Sequence, residues 1–253
     1  MTTASPLAPC LRTVRAVVFD TDGVVIDSAG LHAEAWRGAF DACLAAAGQD
    51  RGFDLVADYR RHVDGRARLD GAASFLAARG LSLPPGEPED APGTTTVAAV
   101  AARKEELFTE ALRAHGADAW PGTVRLLRAL RRERVPRAAV SASRHAGELL
   151  AKAGVLKLFD VVVDGGEARR LRLPGKPDPA LFTEAAGRLG VPAAATAVLE
   201  DAWAGVEAGR RGGFGLVIGV DRTADGSGAP GLLRHGADLV VADPGELLGS
   251  GSE

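Results

Sequence analysis

The chain reads as an α/β protein, a doubly wound parallel sheet with a small all-helical domain inserted after the first strand. Three observations predict this. From residue 119 onward, short apolar runs rich in β-branched residues alternate with helical patterns, as strand–helix–strand units do. A matching apolar run stands far upstream at residues 14–19. Between the two, residues 30–115 show helical spacing and loops but no strand, so they form a unit of their own. The expected organisation is a core domain of residues 1–29 and 116–253 and a helical domain of residues 30–115.

Composition narrows the class. A chain of 253 residues is long enough for a core and a smaller domain. The net charge of −3 offers no nucleic-acid footprint, and the Arg-rich stretch 128–137 reads as a solvated helix end. Cys10 and Cys43 lie far apart and match no zinc spacing, which suggests a reducing compartment without disulfides. The first thirteen residues lack a charged start followed by an apolar core, so no secretory signal is expected. No apolar run approaches the length of a membrane span. The expectation is a cytoplasmic protein with no membrane or nucleic-acid partner.

Taken in order, residues 1–13 are polar and proline-containing and are expected to be loose. Residues 14–19, apolar except for Arg15, suit a central strand buried on both faces. The run ends in Asp20-Thr21-Asp22-Gly23. Residues 31–40 carry apolar side chains at helical spacing. His62-Val63-Asp64-Gly65-Arg66-Ala67-Arg68 is a polar loop entering a helix at about Leu69, and a helix N-terminus beside arginines can hold an anion. Residues 83–96, rich in Pro, Gly and acids, read as a surface loop. Arg103-Lys104-Glu105-Glu106 opens another helix.

Ala119-Trp120-Pro121-Gly122 marks the return to the core and a helix at 124–134. A strand at 136–140 stops at Ser141-Ala142-Ser143, and a helix at 146–153 and a strand at 159–163 follow. The proline-stiffened loop Leu173-Pro174-Gly175-Lys176-Pro177-Asp178-Pro179 leads into a helix at 180–189. The strand at 195–199 is closed by Glu200-Asp201. A helix at 203–210 and strands at 214–220 and 238–241 complete the alternation, and the tail 249–253 is expected to be disordered.

Four polar clusters therefore close a strand or precede a helix: Asp20/Asp22, Ser141/Ser143, Lys176 and Glu200/Asp201. In a doubly wound sheet such ends converge on one edge. Each also has a plain reading. Asp-x-Asp-Gly is a turn with Asp as hydrogen-bonding filler. The serines cap the next helix. Lys176 is an ordinary surface lysine. The acids favour the dipole of the helix that follows. Taken together, the plain readings need four coincidences. Two carboxylates at a strand end require a charge partner, and a hard divalent cation supplies one.

With these motifs the chain resembles the haloacid dehalogenase-like phosphohydrolase superfamily over nearly its whole length. Asp20-Thr21-Asp22-Gly23, Gly175-Lys176-Pro177-Asp178-Pro179 and Leu199-Glu200-Asp201-Ala202 carry the resemblance. Residues 20–36, with Ser28, His32 and Trp36, are most similar to the β-phosphoglucomutase-like branch, and the insert is similar to its helical cap. Thr21 stands where that branch usually has Leu, Phe or Met. Arg144-His145 stands where Lys or Arg and then Asn are usual.

The resemblance implies Mg²⁺-dependent phosphoryl transfer on a small sugar phosphate. Asp20 would be the nucleophile that becomes an aspartyl-phosphate. Mg²⁺, held by Asp20, the backbone carbonyl of Asp22, Glu200 and Asp201, would offset the repulsion between phosphate and carboxylate. Lys176 would bridge phosphate and nucleophile, and Ser141 and Ser143 would bind phosphoryl oxygens. Asp22 would be the general acid and base. In the cap, Gly65, Arg68 and Lys104 would hold a second phosphate, with Ser28 and His32 in the same set. Linkers near 26–30 and 113–120 imply opening and closing. Attack by the sugar's other hydroxyl would make a mutase, most like β-phosphoglucomutase, which turns β-glucose 1-phosphate into glucose 6-phosphate. Attack by water would make a sugar-phosphate phosphatase. A phosphate-binding regulatory module without turnover is a third reading, although binding alone would not require Asp22. A monomer or weak homodimer is expected.

Overall fold

In the computed structural model, which describes residues 6–249, strand β1 (Ala16–Asp20) is buried along its whole length. Helices α1 (Ala29–Ala46), α2 (Arg68–Ala78) and α3 (Val97–His115) precede any second strand. The chain continues through α4 (Pro121–Arg132), β2 (Arg137–Val140), α5 (Ala146–Lys152), β3 (Val161–Val163), α6 (Gly165–Leu171) and α7 (Ala180–Arg188). It ends with β4 (Thr196–Glu200), α8 (Trp203–Arg211), β5 (Leu216–Val220), α9 (Ala229–Arg234) and β6 (Leu239–Val241). All five pairings are parallel, in the spatial order β3-β2-β1-β4-β5-β6. β1 is central, between β2 and β4, which is why its sequence is a near-continuous apolar run. The strand order reverses between β1 and β4, the switch point where open α/β sheets bind ligands.

The chain divides into two compact units, Met1–Asp27 with Asp118–Glu253, and Ser28–Ala117. In the first, Val18, Val140 and Val198 from three adjacent strands share a core with Phe182 of α7 and Val206 of α8. The second is centred on Trp36, Phe40, Phe53 and Phe75. The Phe40 ring lies 5.1 Å from Phe53 and 4.2 Å from Phe75. Burying each such side chain contributes about 1.5–3 kcal/mol, enough for a small helical unit to have its own core. The loop at 83–96 has a structural use there, since Thr96 Oγ accepts the Ala99 N–H at 2.9 Å and caps α3. Within the first unit, the ends of the two linkers are joined. Asp27 N–H donates to Asp118 O at 2.9 Å, and Trp120 N–H donates to Val25 O at 2.9 Å.

Several expectations are corrected. Residues 6–13 are not loose. Pro9–Thr13 forms a 3₁₀ turn, and Leu7 and Leu11 are 3% and 1% exposed. Leu7 bridges Leu248 near the other end of the chain, a partner that no local pattern reveals. Arg137 is not part of a solvated helix end. It opens β2, buried, and binds Asp160 at 2.9 Å and the carbonyls of Leu158 at 2.7 Å and Val135 at 2.8 Å. Helices α6 and α9 were not expected. At 7 and 6 residues they are too short to display a helical period. The expected disorder beyond Gly249 concerns residues outside those described. Among the described residues, no helix is long and apolar enough to cross a membrane.

Candidate active site

The register of β1 and β4 brings the acids together. Phe19 pairs with Leu199, so each strand ends one residue later on a carboxylate, Asp20 or Glu200. Lys176 comes to them from the turn before α7 and is 1% exposed. Its Nζ donates to Asp20 Oδ1 and, at 2.7 Å, to Glu200 Oε2, and it lies 4.8 Å from the Phe182 ring centroid. A buried ammonium needs this pairing, because desolvation of an unpaired charge costs several kcal/mol. The other Glu200 oxygen accepts the Ala202 N–H at 3.0 Å. α8 packs so close that a Cβ at Gly205 would land on the Glu200 carboxylate.

Asp20, Glu200 and Asp201 each offer an oxygen, all within 4.8 Å of one another. Asp20 and Glu200 share the charge of Lys176, while Arg222 acts electrostatically on Asp201. Burial first, and then the Glu200 charge, pushes the Asp20 carboxyl well above its ordinary pKa, and Lys176 only partly opposes this. Burial pulls Lys176 down, but Asp20 and Glu200 outweigh it and hold it above the usual lysine value, so it stays charged. An oxygen-only donor set in which two carboxylates share one ammonium fits a hard divalent cation.

Asp22 heads a second arrangement. Its Oδ2 accepts from Ser141 Oγ at 2.8 Å. Ser141 Oγ in turn accepts the Ser143 N–H at 2.9 Å, and Ser143 Oγ accepts the His145 N–H at 3.2 Å. The loop after β2 is thus wound on its own hydroxyls and ends at Asp22. The turn after Asp22 requires a glycine. Gly23 has φ +79°, and a Cβ there would strike the Asp201 carboxylate. Thr21, fully buried, donates Oγ to Val140 O at 3.0 Å. A hydroxyl at this place ties the ends of β1 and β2 together.

The remaining expected residues lie in the helical unit. Lys104, 5% exposed, has Nζ 2.8 Å from His32 Nδ1. It lies 4.6 Å and 5.6 Å from the Phe108 and Trp36 ring centroids, while His32 stacks on Phe108 at 4.0 Å. This is a cation–π setting closed by an imidazole. Arg68, first residue of α2, pairs with Glu105 at 2.9 Å. Gly65, φ +67°, turns the chain shortly before α2. Ser28 is fully buried at the N-cap of α1, where its hydroxyl makes no capping bond.

The structure thus gathers Asp20, Lys176, Glu200 and Asp201 into one cluster and links Asp22, Ser141 and Ser143. It joins His32 to Lys104, and places Arg68 on Glu105. Sequence reasoning missed two residues that touch the turn after Asp22. Thr123 Oγ donates to Val24 O at 2.7 Å, and Arg222 binds the carbonyls of Gly23 and Val24. The one signal for Arg222 was its place just past the strand at 214–220.

The family described as haloacid dehalogenase-like hydrolase matches residues 14–213. A β-phosphoglucomutase of Mycobacterium bovis is 42% identical over 240 residues, which is 93% of this chain and 92% of that protein. A phosphorylated carbohydrates phosphatase of Thermotoga maritima is 28% identical, over 93% of this chain and 97% of that protein. The crystal structure of a hydrolase from Pseudomonas syringae matches with a TM-score of 0.70 at 25% identity, over 92% of this chain and 95% of that one.

Proposed function

The chain belongs to the haloacid dehalogenase-like hydrolase family, as an enzyme of the phosphomutase or phosphatase kind, and we propose that it is a β-phosphoglucomutase. Its reaction is the conversion of β-glucose 1-phosphate into glucose 6-phosphate through an aspartyl-phosphate at Asp20. The observation that carries the phosphoryl-transfer part of this reading is the cluster of Asp20, Lys176, Glu200 and Asp201, buried except for the half-buried Asp201, with Asp22 two residues beyond the nucleophile; the 42% identical β-phosphoglucomutase favours the mutase.

The mutase passes through the sugar 1,6-bisphosphate: Asp20 Oδ attacks one of its phosphorus atoms, the P–O bond to the sugar breaks, and the leaving oxygen takes a proton from the Asp22 carboxyl. In the second half, the attacking hydroxyl gives its proton to the Asp22 carboxylate. Its oxygen bonds to phosphorus as the Asp20–phosphorus bond breaks. Lys176 holds the nucleophile in a fixed orientation, and Glu200 holds Lys176. The Ser141 hydroxyl, with Ser143 in the same loop, donates to a phosphoryl oxygen in place of Asp22. Asp20, Asp201, Glu200 and the Asp22 carbonyl would hold Mg²⁺, which would supply the positive charge that lets a phosphate dianion approach a carboxylate. Arg68 and Lys104, with Gly65, Ser28 and His32, recognise the second phosphate and the sugar.

A phosphatase is the second reading. It is favoured by the Thermotoga relative and by His145 where the mutase pattern has Asn. Incubation with β-glucose 1-phosphate, a trace of the 1,6-bisphosphate and Mg²⁺ separates the two. Glucose 6-phosphate without free phosphate is the expected product. Steady phosphate release with no isomer would replace the mutase by a phosphatase.

A further inference from the structure

We propose that Arg222 is a positioning residue for Asp22, a role that rests on the phosphoryl-transfer reading above. Arg222 lies two residues past the end of β5. Its Nε donates to Gly23 O at 2.6 Å and its Nη2 to Val24 O at 3.1 Å. Its Nη1 donates to Ala242 O at 3.2 Å. The guanidinium lies 4.1 Å from the Trp120 ring centroid. All these groups belong to the same compact unit.

The two carbonyls it grips belong to the residues that directly follow Asp22. Gly23 is the hinge of this turn, in the left-handed region, and glycine allows its peptide other orientations. The turn's own bonds, Gly23 N–H to Ile26 O at 2.8 Å and Ile26 N–H to Thr21 O at 2.8 Å, leave the Gly23 carbonyl facing Arg222. Asp201, Asp243 and Asp27 also act on the guanidinium electrostatically. The Asp243 carboxylate is 4.0 Å away, whereas the carbonyls take the close contacts. The fork fits two successive carbonyls, which a lysine's point charge cannot match.

The consequence is selective. Asp20 is held by the strand ladder and by Lys176, so Arg222 does not set its position. Asp22 hangs on the turn and has to reach the leaving oxygen and then the attacking one. Misplacement of a proton donor by about 1 Å can cost a hundredfold in rate. Loss of Arg222 therefore impairs proton transfer more than attack by Asp20.

p-Nitrophenyl phosphate separates these steps, because p-nitrophenolate leaves without a proton. Attack by Asp20 breaks the aryl P–O bond and forms the aspartyl-phosphate. Water then gives a proton to Asp22, its oxygen bonds to phosphorus as the Asp20–phosphorus bond breaks, and orthophosphate leaves. In Arg222→Met with Mg²⁺, a burst of p-nitrophenolate equal to the enzyme is expected to remain. Turnover after the burst is expected to fall by about tenfold or more, with kcat/KM nearly unchanged, so that KM falls along with kcat. Arg222→Lys is expected to lie between Arg222→Met and wild type. Adding Arg222→Met to Asp22→Asn is expected to cost nothing more, since the two act as one unit. Loss of burst and turnover together in a variant that melts like wild type would overturn the proposal, as would multiplied losses in the double variant. If Arg222→Met does not fold, Arg222→Lys carries the same comparison. Wild-type protein inert on both aryl and sugar phosphates would sink the phosphoryl-transfer reading itself, a result seen before any variant is made.

Discussion

Lys176 is surrounded by more negative charge than it can balance, and this decides how the cluster responds to pH and to metal. With no cation bound, burial and Glu200 raise the Asp20 pKa. The native state then holds a proton that the unfolded chain has already released, so this group's contribution is fully present at low pH. It is lost as pH rises through the raised value. Binding of a divalent cation needs the carboxylate, so stabilisation by metal grows over the same window. Thermal unfolding in EDTA and in excess Mg²⁺, from about pH 4 to about pH 8, is expected to show curves that diverge as pH increases. A gap that is constant or shrinks with pH would contradict an Asp20-centred cation site. The charge excess was not legible residue by residue, because Asp20 and Glu200 are far apart in the chain and become neighbours only through the sheet.

At the scale of elements, the sheet edge is assembled from strand ends that must stop in register. Asp20 is level with Val140, and Ser141 follows directly. The Thr21 hydroxyl pins this junction through Val140 O. Thr21→Val keeps the shape but leaves a buried carbonyl unpaired on that side, which costs about 1–3 kcal/mol. Chemical denaturation is expected to show that loss, with a larger proportional fall in turnover because Asp22 and Ser141 lose their common anchor. Unchanged stability would mean that the bond is idle. The strands and the long helices could be read from periodicity, but α1 runs six residues past the expected 31–40, and α3 begins at Val97, six residues before Arg103, which was expected to open it. The short helices α6 and α9 could not, and neither could the packing of Leu7 and Leu11, whose partners are distant in sequence.

At the scale of the whole molecule, two units with separate cores divide the labour under the proposed function. The sheet unit carries the reacting groups, and the helical unit carries Arg68 and Lys104 for the rest of the substrate. Arg68→Ala is therefore expected to lower isomerisation of β-glucose 1-phosphate by about tenfold or more, because binding energy from remote groups drives the reacting step. Release of p-nitrophenolate from a substrate without a second phosphate is expected to change little. Equal losses on both substrates would remove Arg68 from substrate recognition. Its ion pair with Glu105 is 30% and 14% exposed at the two side chains, which suits a contact that a phosphate can displace.

The amino-acid sequence by itself, through the family it resembles, pointed to phosphoryl transfer and to the candidate carriers. Asp20, Asp22, Lys176, Glu200 and Asp201 stand in an order and spacing that strand-end convergence turns into one candidate site. Periodicity and apolar runs are local signals, so the parallel sheet and the helical insert could be read as well. Only the tertiary structure decided which groups touch. It set Lys176 between two acids, wound the Ser141 loop onto Asp22, closed His32 on Lys104, and brought Arg222 to the turn behind Asp22. These contacts join residues far apart in the chain. Their geometry depends on register, burial and the surrounding charge, which exist only once the chain has folded.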